Sequence, residues 1–99
     1  MAPAPDPEWP FDQARNAAAL TCRSILEGAP ILHVSHDVED GGWQFLDGND
    51  ADEDQARVIG MGTAVGLDAS LLQVADLPVG WVAWRQAVGE PWRREPHDR

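Results

Sequence analysis

The fold predicted for this chain depends chiefly on the stretch ILHVSHDVEDGGWQFLDG, residues 31–48. Its first part, ILHVSHD, is rich in the apolar and β-branched residues that favour a strand. Residues 39–42, EDGG, are turn formers, and GWQFLDG then returns as a second strand. We therefore expect a β-hairpin over about residues 31–47.

Upstream of this hairpin, AAALTC (residues 17–22) predicts a strand and CRSILEG (22–28) a brief helix that ends at Gly28 and Pro30. Immediately downstream, Asp50 is placed to cap a short acidic helix in ADEDQA (51–56). Short elements therefore flank the hairpin on both sides.

The C-terminal half predicts a strand in RVIGMG (57–62) and a helix in ASLLQVAD (69–76) capped by Asp68, while TAVGLD between them stays ambiguous. In GWVAWRQAVGEPWRRE (80–95) we expect strands at 81–86 and 91–95, because neighbouring Trp and β-branched residues suit strands. A helix over 81–88 is the alternative, since Trp81, Trp84 and Val88 share a helical face.

These elements indicate an α+β fold: one small domain with an antiparallel sheet, hairpins at about 31–47 and 81–95, and short helices packed against it. Residues 1–10 carry four prolines and predict an extended arm, residues 11–95 form the domain, and residues 96–99 are expected to be frayed. A chain of 99 residues has room for one core.

The composition narrows the function. Seventeen acidic residues against seven Arg and no Lys give a formal charge of −10, which repels nucleic acids and anionic membranes. A single cysteine excludes an internal disulfide, no apolar run approaches the ~20 residues of a membrane span, and the N-terminus lacks signal-peptide features. We expect a cytoplasmic protein that binds neither nucleic acid nor membrane.

Metal binding is the first chemistry that the sequence invites. On a strand, His33 and His36 point to opposite faces and cannot hold one ion together. Asp50, Asp52 and Asp54 match the first ligand positions of an EF-hand loop, but Gln55 stands where that loop needs Gly and Met61 where it needs Glu. The sequence predicts no metal site and no cofactor, and favours a solvated acidic loop.

Catalytic and nucleotide motifs are equally incomplete. Ser35, His36 and Asp37 are adjacent on a strand and diverge, so they do not form a triad. Cys22 lies in an apolar run, which favours a buried structural thiol over a reactive one. The glycines of GMGTAVG (60–66) do not match a dinucleotide fingerprint. No catalytic residue is predicted.

Two surfaces remain as candidates for binding. The first is an acidic surface with one aromatic anchor: Glu39, Asp40, Trp43, Asp50, Asp52, Glu53 and Asp54. The second is a basic, aromatic C-terminal surface: Trp81, Trp84, Arg85, Trp92, Arg93 and Arg94. A structural alternative exists for the second, in which these tryptophans fill the core and the arginines pair with the acidic hairpin.

The order of motifs resembles a known family. Gly42-Trp43-Gln44-Phe45 with Asp47-Gly48, an acidic stretch, Asp68 to Leu72 and Leu77-Pro-Val-Gly80 are similar to small bacterial domains grouped by genomic association with immunity proteins of polymorphic toxin systems. The Trp9-Pro-Phe-Asp12 start and the Pro91 to Glu95 end also resemble compact acidic proteins of α-proteobacteria. The resemblance implies an α+β fold, no catalytic residues, and binding to a toxin, but the Trp- and Arg-rich end departs from the immunity domains.

We therefore expect a non-enzymatic acidic module that binds another protein, of basic character, with immunity-type inhibition as one form of that function. The first alternative is a small-molecule-binding or metal-dependent enzyme with a pocket near His33, His36 and Cys22. The second alternative is a homo-oligomer that associates through the Trp- and Arg-rich end.

Overall fold

The computed structural model describes residues 9–48 and 53–97. The strands are β1 (Ala18–Cys22), β2 (His33–His36), β3 (Trp43–Leu46), β4 (Ala56–Gly60), β5 (Trp81–Trp84) and β6 (Arg93–Pro96). The helices are α1 (Arg23–Leu26), α2 (Met61–Leu67) and two 3-10 helices, Glu53–Gln55 and Ala69–Val74. The strands form one sheet in the order β4-β1-β3-β2-β5-β6. The fold is α+β, as predicted.

Both predicted hairpins are confirmed. β2 pairs antiparallel with β3, with Val34 opposite Phe45, and β5 pairs antiparallel with β6, with Ala83 opposite Arg94. The β2–β3 turn is closed by the Asp37 amide, which donates to the Gly42 carbonyl at 2.8 Å. Residues 81–84 are therefore a strand, which rules out the alternative helix over 81–88.

The prediction of a purely antiparallel sheet is wrong for one pair of strands. β1 pairs parallel with β3, with Leu20 aligned to Gln44, while every other pair is antiparallel. The reason is the position of the hairpin. After β1, the helix α1 and the loop behind it carry the chain past one strand position, and β3 then returns into the gap between β1 and β2.

The helices lie on one face of the sheet, where the core forms. Val34, Phe45 and Ala83 project from neighbouring central strands into this core and are fully buried. Helix α2 and the 3-10 helix Ala69–Val74 cover them with apolar side chains, Met61, Ala64, Leu71 and Val74. The Asp68 carboxylate accepts a hydrogen bond from the Ser70 amide at 2.9 Å, so the predicted cap is confirmed.

The opposite face of the sheet carries a row of side chains that runs across all strands at one register. In the strand order this row is Val58, Leu20, Gln44, Ser35, Val82 and Glu95, and we call it the open face. The apolar residues that the described helices bury, Ile25, Met61, Ala64, Leu71 and Val74, belong to the core on the other side. Leu20 and Val58 are consequently exposed although both are large and apolar.

The ends of the domain differ from the predicted boundaries. β6 includes Pro96, and the His97 amide donates to the Gly80 carbonyl at 2.8 Å, so the sheet takes in the first two residues of the stretch expected to fray. Of the predicted arm, residues 1–8 lie outside the described residues. Within residues 9–48 and 53–97, no helix has the length and apolar character needed to cross a bilayer.

Candidate functional site

A partly buried carboxylate, Asp37, occupies the end of β2 where the hairpin turn begins. Its Oδ1 accepts a hydrogen bond from the Ser35 hydroxyl at 3.1 Å, and its Oδ2 accepts one from the Gln44 amide Nε2 at 2.7 Å. Ser35 and Gln44 are cross-strand partners on the open face. The hairpin register therefore aims two neutral donors at one carboxylate and orients it.

Two cavities meet at Asp37. One, of about 440 Å³, lies between the hairpin turn and the start of β5, with Ser35, Val38, Trp81 and His97 in its wall. The other, of about 120 Å³, lies between the turn and the β1–β4 edge, with Ala18, Leu20, Asp40, Gly42 and Val58 in its wall. Asp37 contributes to both walls and is the centre of the candidate site.

The charge at this centre is not balanced locally. Within the part of the chain that the structure describes, no Arg or His side chain forms an ion pair with Asp37. None of the residues in the wall of the smaller cavity is a cation. Asp40 stands in the same wall, and its Oδ1 accepts a hydrogen bond from a neutral group, the Gly42 amide, at 2.8 Å.

The structure brings together only part of the predicted acidic surface. Glu39 and Asp40 are exposed on the β2–β3 turn, and Asp54 is exposed near the start of β4. Glu53 lies in the 3-10 helix that precedes β4. Asp50 and Asp52, with the predicted capping role of Asp50, lie outside the described residues.

Trp43 is not available as a surface anchor, which corrects the prediction. Its side chain is 2% exposed and lies in the core because β3 directs Trp43 and Phe45 to the helix-covered face. The indole stacks on the His36 ring with 4.0 Å between centroids, and Nε1 donates to Asp12 Oδ1 at 2.9 Å. The partner-binding role expected for Trp43 therefore has no exposed group to perform it.

The two histidines of the enzyme alternative lie on opposite faces of the sheet, as the strand assignment predicted. His36 is buried in the core, where Nδ1 donates to the Leu77 carbonyl at 2.8 Å and Nε2 lies 3.3 Å from Asp12 Oδ2. His33 is on the open-face side, and its Nδ1 has no hydrogen-bond partner among the described residues. Burial, together with the charge of His97, lowers the pKa of His33 below its usual value of 6.5, against a smaller opposing effect of Glu95.

Cys22 does not join the histidines. The thiol is buried at the end of β1, and its Sγ lies 3.2 Å from the Ser24 hydroxyl. Across residues 9–48 and 53–97, no three His, Cys, Asp or Glu side chains are arranged to hold a metal ion. Of the three residues named for the enzyme alternative, His36 lines the larger cavity at Asp37, whereas His33 and Cys22 do not.

The predicted C-terminal surface is divided by the fold. Arg85 is 4% exposed and belongs to the interior, where it pairs with Asp68 and lies over the Trp92 ring at 4.2 Å. Arg94 pairs with Asp76 at 2.6 Å. Neither arginine pairs with a described residue of the acidic hairpin. The alternative in which the C-terminal arginines pair with that hairpin is therefore wrong for Arg85 and Arg94.

The exposed part of the predicted C-terminal surface is smaller than the sequence predicted. Trp81, Trp84 and Trp92 are each half-buried, whereas Arg93 and Arg94 are exposed. Arg93 lies over the Trp84 ring, 5.4 Å from its centroid. Trp84 and Arg93 are thus the pair from the predicted set that shares one exposed patch.

Sequence reasoning did not single out Asp37, Ser35 and Gln44 as a unit. The signal was present in the hairpin itself. A turn that spans residues 37–42 sets His36 opposite Trp43 and therefore Ser35 opposite Gln44, with both side chains on the face that polar residues occupy. Asp37, two residues beyond Ser35, is then within reach of both.

Comparison of the chain with protein-family models, with curated proteins and with solved structures gives no match. The resemblance to immunity-type domains therefore stays a prediction.

Proposed function

We propose that this chain is a non-enzymatic acidic module that binds a basic protein, and that immunity-type inhibition is the form that the binding takes. The observation that carries the proposal is the junction of an acidic turn with an uncovered sheet face. Glu39 and Asp40 are exposed beside Leu20 and Val58, which are 43% and 70% exposed.

This combination has the composition of a recognition surface. Protein interfaces join an apolar centre to a polar or charged rim, and exposed apolar groups on a sheet face release water when a partner covers them. The acidic rim and the net charge of −10 attract a basic partner over distances of about a Debye length, ~8 Å at physiological salt. The charges then govern the association rate, and the apolar contacts slow dissociation of the complex.

The experiment uses the product of the gene next to this one as the binding probe, because the resemblance to immunity proteins implies that a toxin is encoded beside this chain. Its association with the full chain is measured by surface plasmon resonance at several salt concentrations. The test variant is Glu39→Lys with Asp40→Lys. The matched control is Glu27→Lys with Glu90→Lys, which brings the net charge from −10 to −6 in the same way, but away from the turn.

We expect the turn variant to slow association roughly tenfold or more and the control to slow it much less, because steering depends on charges near the contact. Rising salt should slow the association of the parent chain with the probe and narrow the difference between the association rates of the two variants. Equal association rates for the parent chain, the turn variant and the control would contradict the proposal, and a neighbouring product that shows no binding would contradict its immunity form.

A further inference from the structure

We propose that the smaller cavity, which we call the Asp37 groove, receives an arginine side chain of the basic partner. Its wall includes Ala18, Leu20, Asp37, Asp40, Gly42 and Val58, together with Ala19 and the mostly buried Trp43. In this proposal, which rests on the proposed function, the Asp37 carboxylate binds the guanidinium group, and Leu20 and Val58 contact the aliphatic stem.

The bonding of Asp37 favours a guanidinium over an ammonium group. An ionised carboxylate has about four acceptor positions, two on each oxygen. Ser35 occupies one position on Oδ1 and Gln44 one on Oδ2. The remaining positions are therefore divided between the two oxygens, which matches the two parallel N–H groups that a guanidinium presents.

Neutral donors also leave the negative charge in place. The Ser35 hydroxyl and the Gln44 amide hold Asp37 in one orientation without cancelling its charge, and no cation in the described part of the chain pairs with it. A partner that binds here does not need to order the carboxylate, because it is already positioned.

The size and lining of the groove fit a side chain rather than a small-molecule ligand. Its volume of about 120 Å³ is below the ~300–1,000 Å³ of typical ligand pockets. Leu20 and Val58 are adjacent across β1 and β4 and form an apolar wall along one side. An arginine buries its methylene stem against such a wall while its charged end reaches the acid.

The test uses three defined peptides on the full-length ¹⁵N-labelled chain: acetyl-Leu-Arg-Leu-amide, the same peptide with lysine, and the same peptide with citrulline, which has the shape of arginine without its charge. NMR titration at physiological ionic strength reports the affinity and the position of binding. We expect the arginine peptide to shift the amides of Leu20 and Val58 and the side-chain amide of Gln44. The citrulline peptide should bind roughly tenfold more weakly, because a charge-assisted pair is lost, and the lysine peptide should lie between them.

Asp37→Asn is the principal variant, with Glu90→Gln as the matched control, since both remove one charge and Glu90 is an exposed acid outside the groove. We expect Asp37→Asn to weaken binding of the arginine peptide roughly tenfold and Glu90→Gln to leave it nearly unchanged. Leu20→Ser gives a second variant at an exposed position, and it should weaken binding without touching the carboxylate.

Equal weakening by Asp37→Asn and Glu90→Gln, or shifts that leave Leu20, Val58 and Gln44 unaffected, would overturn the Asp37 groove and leave the acidic module intact. Equal association rates for the parent chain, the turn variant and the control in the charge-reversal experiment, with the arginine peptide still bound at Asp37, would overturn the proposed function and leave the groove as an arginine site. Equal affinity for the arginine and citrulline peptides would overturn the assignment of a cationic ligand.

Discussion

Replacement of Arg85 by Met is expected to destabilise the domain severely, because this buried cation joins three separate segments. Nη2 and Nε donate to the Ile31 carbonyl at 3.0 and 3.3 Å, Nη1 donates to the Ser70 hydroxyl at 3.0 Å, and Nη2 pairs with Asp68. Met fills a similar length but donates nothing. The Asp68 carboxylate and the Ile31 carbonyl then lose their partner in a place that water reaches poorly.

The expected cost is about 3–5 kcal/mol, the range for removing one partner of a buried ion pair. Small domains have only ~5–15 kcal/mol of stability, so this is a large part of the total. Urea unfolding at pH 7, followed by tryptophan fluorescence, gives the measurement. With a slope near 2 kcal/mol/M, the midpoint should fall by roughly 2 M.

Arg93→Met is the matched control, because Arg93 lies over an indole ring as Arg85 does, yet is exposed. A cation–π contact at an exposed site contributes about 0.5–1 kcal/mol, so this variant should lose no more than that. In an Asp68→Asn background the cost of Arg85→Met should shrink, since no buried charge is left unpaired. A similar loss for both Met variants, or full additivity with Asp68→Asn, would refute the reasoning.

Three further outcomes follow from the structure. Burial raises the pKa of Asp68, but hydrogen bonds from Ser70 and Arg85 outweigh burial and hold the pKa below its usual value of 3.8. The ionised carboxylate therefore stabilises the fold above pH 3.8, and this contribution is lost as the pH falls through the pKa of the folded state. Asp68→Asn should reduce the loss of unfolding free energy at acid pH, measured by urea unfolding at several pH values, and an unchanged acid dependence would contradict this. The lowered pKa of His33 means that the folded state favours the neutral ring, so the free energy of unfolding should fall as the pH drops below 6.5. His33→Gln should remove that loss. A parallel decline in the parent chain and in His33→Gln would contradict this prediction. Gly80→Ala should cost about 1–2 kcal/mol because φ is +85°, whereas Gly66→Ala in helix α2, with open space around it, should be neutral or stabilising; equal Tm changes would show that the turn is not strained.

The sequence predicted the local elements well because their signals are local. Gly41 and Gly42 mark the turn of the first hairpin, and Gly41 has a φ of +70°, a conformation that favours glycine. Asp68 was identified as a helix cap, since its side chain reaches an amide two residues along the chain. The separation of His33 from His36 also followed from strand geometry alone, and with it the loss of their shared metal site.

The tertiary structure decided which surfaces exist. No local sequence pattern predicts that the β2–β3 hairpin pairs with β1 through β3. This pairing makes one strand pair parallel and brings Leu20 beside Gln44. The same step directs Trp43 inward and leaves Val58 outside. Strand alternation predicts that side chains divide between two faces, but not which face the helices will cover.

Charge shows the same division. The sequence by itself determined an excess of acid, with ten negative charges that arginine does not balance, and this already disfavoured nucleic acid as a partner. Only the folded chain decided which charges neutralise one another. Arg85 lies within reach of Asp68 because β5 and a 3-10 helix meet in the core, whereas Asp37 meets only neutral donors. Ion pairing depends on distances of a few ångströms between segments remote in sequence, and packing sets those distances.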